Sequence, residues 1–143
     1  MTDADVSHEL ATQARSGCCH HRPGRAVFEF GRGRAGGSPG VPGYSLEYVR
    51  PPLTQMPSDL PMEVPGSTFM ELVLQGGTKL DEDFNLVYDG PTRFEPGFPM
   101  LIALYERGDF EAVSSWYVGV DREPCIRVFT LTDPPRLVID LQH

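Results

Sequence analysis

Proline and glycine interrupt this chain so often that the stretches between them can be measured, and they are short. The sequence holds 15 glycines and 14 prolines in 143 residues. Seven of the prolines fall between Gly36 and Gly66. Proline removes a helical hydrogen bond and clashes with the preceding turn, so no ordinary helix fits there. The later stretches, Ser67–Gln75, Met100–Arg107, Asp109–Val118, Cys125–Asp133 and Arg136–His143, run eight to ten residues each. That is strand length, short of the roughly ten to twelve residues that argue for a helix.

The residues inside the stretches agree. Ala26-Val27-Phe28-Glu29-Phe30 and Tyr44-Ser45-Leu46-Glu47-Tyr48 place apolar groups at every second position, the period of a half-buried strand. Phe69–Leu74 and Leu101–Tyr105 are more uniformly apolar, as expected for strands covered on both sides. Glu111–Val118, Ile126–Leu131 and Leu137–Leu141 bring the candidates to seven. Glu106-Arg107-Gly108-Asp109 reads as a hairpin turn, and Thr132-Asp133-Pro134-Pro135 as a second tight connection. The expected fold is all-β, a two-sheet antiparallel β-sandwich of about seven to eight short strands. At Asp3–Ser16, where Val6, Leu10 and Ala14 recur at helical spacing, a short N-terminal helix, a first strand and disorder all remain open. Thr78–Asp89 reads as a long polar loop.

Charge and composition exclude several function classes. Twelve basic against twenty acidic residues leave a net charge of −8, which repels nucleic acid and an anionic membrane surface alike. The longest apolar run, Met100–Tyr105, is about a third of a spanning helix. As written, the chain shows no secretory signal, which on its own predicts a cytoplasmic protein. Three cysteines make no disulfide framework: Cys18 and Cys19 are adjacent, and although either could reach Cys125, reduced thiols are the expectation.

Motifs for chemistry are sparse. Cys18-Cys19-His20-His21 lacks the second, spaced ligand pair of a zinc site. Asp81, Asp83 and Asn85 match the opening of a calcium loop, but Leu86 and Thr92 replace its glycine and closing glutamate. No metal and no cofactor is therefore expected. Arg107-Gly108-Asp109 is an integrin-type tripeptide better explained as turn chemistry. The sequence has no nucleophile elbow, zincin motif or P-loop. Asp109 and Glu111 are the one carboxylate pair for a hydrolase, and their closeness on one strand reads better as a polar edge. The chain is expected not to be an enzyme, with no catalytic residue assigned. Tyr44, Tyr48, Tyr105 and Tyr117 are the candidate ligand-binding residues, a platform for a sugar or peptide, since Tyr offers area with a polar tip. Alternation puts Trp116 and Tyr117 on opposite faces, so at most one of them is exposed, and the expectation is Trp116 inside and Tyr117 outside.

Arg127-Val128-Phe129-Thr130-Leu131-Thr132-Asp133-Pro134-Pro135-Arg136-Leu137-Val138-Ile139-Asp140-Leu141 resembles the closing signature of AMIN-type domains. Arg25–Phe30, Pro42–Val49 and Gly108-Asp109-Phe110-Glu111 resemble, in order, blocks of the actinobacterial AMIN-like domain proteins. The resemblance implies a β-sandwich over 25–143, preceded by a lead-in over 1–24 that is partly disordered or a divergent edge strand. It also implies a non-catalytic cell-envelope binding or targeting module. AMIN domains accompany N-acetylmuramoyl-alanine amidases and bind the cell wall, and the AMIN-like branch is found mostly in secreted proteins and lipoproteins. Expected partners are thus cell-wall glycan or peptide, or an envelope protein. The alternative is an intracellular protein–protein interaction domain, and the least favoured reading is a carboxylate-based hydrolase. On one face of the last strand, Arg136 and Asp140 would be joined by Arg25 in a surface charge pair contributing only about 0–1 kcal/mol.

Overall fold

The structure, a computed structural model, describes residues 4–10, 24–30, 41–75, 90–132 and 135–142. Nine strands are present: β1 (Ala4–Leu10), β2 (Gly24–Phe30), β3 (Tyr44–Val49), β4 (Thr68–Leu74), β5 (Arg93–Phe94), β6 (Leu101–Phe110), β7 (Val113–Val120), β8 (Cys125–Leu131) and β9 (Arg136–Gln142). They form a four-stranded sheet in the order β1-β2-β9-β8 and a five-stranded sheet in the order β3-β4-β7-β6-β5. All pairings are antiparallel. No helix occurs among the described residues, so none is long and apolar enough to cross a membrane.

All seven expected strands are found. Of the other two, β5 was not foreseen, and β1 is the first strand left open among the alternatives at Asp3–Ser16. The helical spacing of Val6 and Leu10 is overridden, because Ala4–Leu10 pairs with Gly24–Phe30 along its full length. The loop over Thr78–Asp89 and the Cys18–His21 and Asp81–Asn85 motifs lie outside the described residues.

Alternation explains the main core. In β2, Ala26, Phe28 and Phe30 are buried while Val27 and Glu29 are half-buried. These three meet Leu137, Ile139 and Leu141 of β9 and, from the other sheet, Met70, Leu72, Leu74, Leu104, Trp116 and Val118. The Trp116 ring packs edge-on against Phe28, centroids 5.5 Å apart at 74°. Each fully buried Leu, Ile or Phe contributes about 1.5–3 kcal/mol from area removed from water, which makes this layer the main source of stability.

Three local expectations are corrected. First, the hairpin joining β6 to β7 does not turn at Arg107–Gly108. Strand β6 continues to Phe110, which pairs with Val113, and Glu111 and Ala112 form the two-residue loop. Both have positive φ, 49° and 65°, the conformation such a turn demands and that Asn-Gly normally supplies. Ala112→Gly is therefore expected to stabilise the protein by about 0.5–1 kcal/mol, relieving left-handed backbone strain. A thermal melt checks it: Tm should rise by roughly 2 °C, and a fall in Tm would contradict the turn.

Second, the Arg25–Asp140 pair is not a surface pair. Arg25 sits opposite Asp140 across β2 and β9. Its Nε donates to Oδ1 at 2.6 Å and its Nη2 to Oδ2 at 3.0 Å. The Asp140 side chain is fully buried and that of Arg25 is 16% exposed, because β9 is an interior strand flanked on both sides. Arg25 also lies over the Phe129 ring of β8, 5.8 Å from its centroid.

Third, Cys125 is not a free thiol: it is disulfide-bonded. The other two cysteines of the sequence, Cys18 and Cys19, lie outside the described residues.

Candidate functional site

The segment between β3 and β4 carries five prolines, at positions 51, 52, 57, 61 and 65. Proline cannot donate to a ladder, so such a segment cannot become a central strand. It folds back on itself instead. Met62 N–H donates to Leu53 O at 2.9 Å and Gln55 N–H to Leu60 O at 2.8 Å. The resulting strap lies on the outer face of the five-stranded sheet, opposite the main core. Leu53, Met62 and Val64 of the strap form a second apolar cluster with Phe69, Ala103, Tyr105 and Tyr117 of the sheet.

Polar contacts fasten the strap. Tyr117 Oη accepts from Thr54 N–H at 3.2 Å and donates to Thr54 O at 3.0 Å. Arg107 donates from Nε to Thr54 O at 2.9 Å, from Nη2 to Thr54 Oγ1 at 3.1 Å and from Nη1 to Glu71 Oε2 at 2.7 Å. Ser115 Oγ donates to the same Glu71 oxygen at 2.6 Å. Burial alone would lower the Arg107 pKa, but the Glu71 hydrogen bond and the neighbouring Tyr117, Glu71 and Asp59 outweigh it, so the pKa is raised and the group stays charged.

Two glycines let the strap come this close. A Cβ at Gly119 would stand 2.0 Å from Pro65 O, and one at Gly108 would stand 1.9 Å from Met56 O. Gly108 also has φ of 151°, and Met56 N–H donates to the carbonyl of Arg107 beside it at 3.0 Å. The Arg107-Gly108-Asp109 tripeptide is thus a bulged strand under the strap, where the β6–β7 register shifts.

Strap and sheet together leave an open groove of about 960 Å³. Its lining is mostly apolar, with Pro52, Leu53, Pro61, Val64 and Phe69 among its members. Polar chemistry comes from Glu63 on the strap and from Arg93 and Tyr105 on adjacent strands. The Arg93 guanidinium stacks on the Tyr105 ring, 5.0 Å from its centroid. Burial, the charge of Glu95 and a hydrogen bond to it raise the Tyr105 pKa, with Arg93 opposing. That hydroxyl is therefore a donor held toward Glu95.

The four candidate tyrosines do not make one platform. Tyr105 and Tyr117 face each other across β6 and β7 and are buried, 6% and 4% exposed, beneath the strap. Tyr117 points away from the main core as alternation requires, and Trp116 points into it, but that outer face is covered. Tyr44 and Tyr48 lie on edge strand β3, opposite Leu74 and Met70 and so on the other face of the sheet. They remain 42% and 46% exposed. Partial burial and the Glu123 carboxylate raise the pKa of Tyr48. Of the four, only Tyr105 lines the groove. Arg93 and Glu63 were missed by sequence reasoning, since a lone Arg and a lone Glu among prolines carry no pattern.

The carboxylates considered for hydrolysis sit at the β6–β7 hairpin, Glu111 exposed in its turn and Asp109 half-buried on β6. Among the described residues, no group of three or more His, Cys, Asp or Glu is placed to hold a metal ion.

The comparison with protein families matches the model described as the AMIN-like domain over residues 10–143. Neither the curated proteins nor the solved structures give a match.

Proposed function

The chain belongs to the AMIN-like domain family, and from that premise we propose that it is a non-catalytic binding module of the cell envelope, holding cell-wall material or an envelope protein. The observation that carries this reading is the groove: open, apolar in its floor and fitted with one cation and one anion. Such a site suits retention of a ligand, since apolar area supplies affinity and a few placed polar groups supply orientation.

The disulfide at Cys125 supports the envelope address. Disulfides persist in oxidising compartments and are rare in the reducing cytosol, so the oxidised cysteine favours an exported module over an intracellular interaction domain. With a net charge of −8, attraction to an anionic wall is not available, and binding must rest on short-range contacts.

Co-sedimentation with purified cell-wall sacculi tests the proposal. Retention above that of an inert acidic protein is expected, little changed between low and high salt, because no long-range attraction contributes. Recovery of the protein in the supernatant at the level of the control would defeat the wall-binding form of this reading.

A further inference from the structure

Three features stand out on the described surface: the exposed edge of β3 with Tyr44 and Tyr48, the fastening network around Arg107, and the groove. The first two show nothing of what they would meet. The groove does, through its charges.

Among the described residues, Arg93 has no hydrogen-bond or ion-pair partner, and neither does Glu63. Glu95, the other carboxylate nearby, is engaged by the Tyr105 hydroxyl. The Arg93 guanidinium lies over the Tyr105 ring, its Cζ 5.0 Å from the centroid, and a carboxylate is the partner that matches its planar fork with two parallel hydrogen bonds. Glu63 supplies the opposite charge in the same groove, which suits an ammonium group. Most of the remaining lining is proline, leucine, methionine, valine and phenylalanine surface. A glycan would be poorly served there, since its hydroxyls would leave water for a wall with few donors or acceptors. A peptide backbone with small apolar side chains loses less.

We infer that the groove binds a short zwitterionic peptide, its free carboxylate on Arg93 and a free amine on Glu63. This deepens the binding reading above and rests on it.

Calorimetric titration with a synthetic alanine tetrapeptide tests it, alongside the same peptide amidated at its C-terminus and acetylated at its N-terminus. Capping the carboxylate should weaken binding about tenfold, the usual scale for a charge-assisted hydrogen bond, and capping the amine should weaken it less. In Arg93→Gln the free-acid and amide peptides should bind alike, and in Glu63→Gln the free-amine and acetylated peptides should bind alike. Both residues are exposed, so an unchanged melting temperature shows that each variant is folded. Equal binding of capped and uncapped peptides to the wild type overturns the inference, as does no binding of any of them. Either failure leaves the sacculus result standing by itself.

Discussion

Arg25→Ala is expected to cost about 3–5 kcal/mol, the scale for breaking a buried ion pair by removing one partner, and to lower Tm by roughly 10 °C. The reason is the asymmetry of burial. Asp140 is fully buried on an interior strand, and Arg25 gives it a bidentate guanidinium at 2.6 and 3.0 Å. Without that cation a buried carboxylate is left uncompensated in a low-dielectric site, and its desolvation is no longer offset. The double variant Arg25→Met/Asp140→Leu is the informative companion, since replacing a buried pair by apolar groups of similar volume is often neutral. Chemical denaturation of the two proteins checks the argument. Loss in the single variant with substantial recovery in the double is expected. A single-variant loss under about 1 kcal/mol would mean that the pair behaves as a surface contact.

Gly119→Ala is the second large effect. No left-handed backbone is involved; the added methyl group would stand 2.0 Å from Pro65 O and 3.2 Å from the Pro65 carbonyl carbon. Those are backbone atoms that cannot rotate away. Overpacking at a yielding site costs about 1–3 kcal/mol, and here relief requires lifting the strap, which exposes Leu53, Met62 and Val64 as well. A loss near or above 3 kcal/mol is expected. Hydrogen exchange separates local from global damage. The Met62 amide, bonded to Leu53 O, should exchange much faster in the variant, while Trp116 in the main core keeps native fluorescence. An unchanged Met62 exchange rate would show that the strap is not seated on Gly119.

How far the fold could be read from the sequence depends on the residues. Ala26–Phe30 announced its inner face through strict alternation, and the pattern of burial follows it. The uniform apolarity of Phe69–Leu74 correctly marked a strand covered on both faces, the strap being the second cover. What could not be read was the strap itself. Leu53, Met62 and Val64 are spaced by prolines rather than by any helix or strand period, so the sequence says only that no helix fits there. One local signal did exist: a glycine inside an apolar strand, as at Gly119, often marks another backbone approaching closely. The missed cover is also why Tyr117 was placed outside and is buried. Glu111 and Ala112 concealed the hairpin turn because neither is a residue that adopts positive φ readily. The groove escaped because it needs the strap, Arg93 and Tyr105 from three separate parts of the chain.

The place of β9 bears on the order in which the chain is made. β9 joins the four-stranded sheet's two halves, β1-β2 on one side and β8 on the other. Arg25 meets Asp140 across 115 positions of sequence, so a chain synthesised from its N-terminus has its early strands ready long before their central neighbour exists. Loop closure over that distance must precede the contacts that reward it. The four-stranded sheet therefore closes only when Arg136–Gln142 arrives, and until then β2 and β8 each keep one edge without its neighbour.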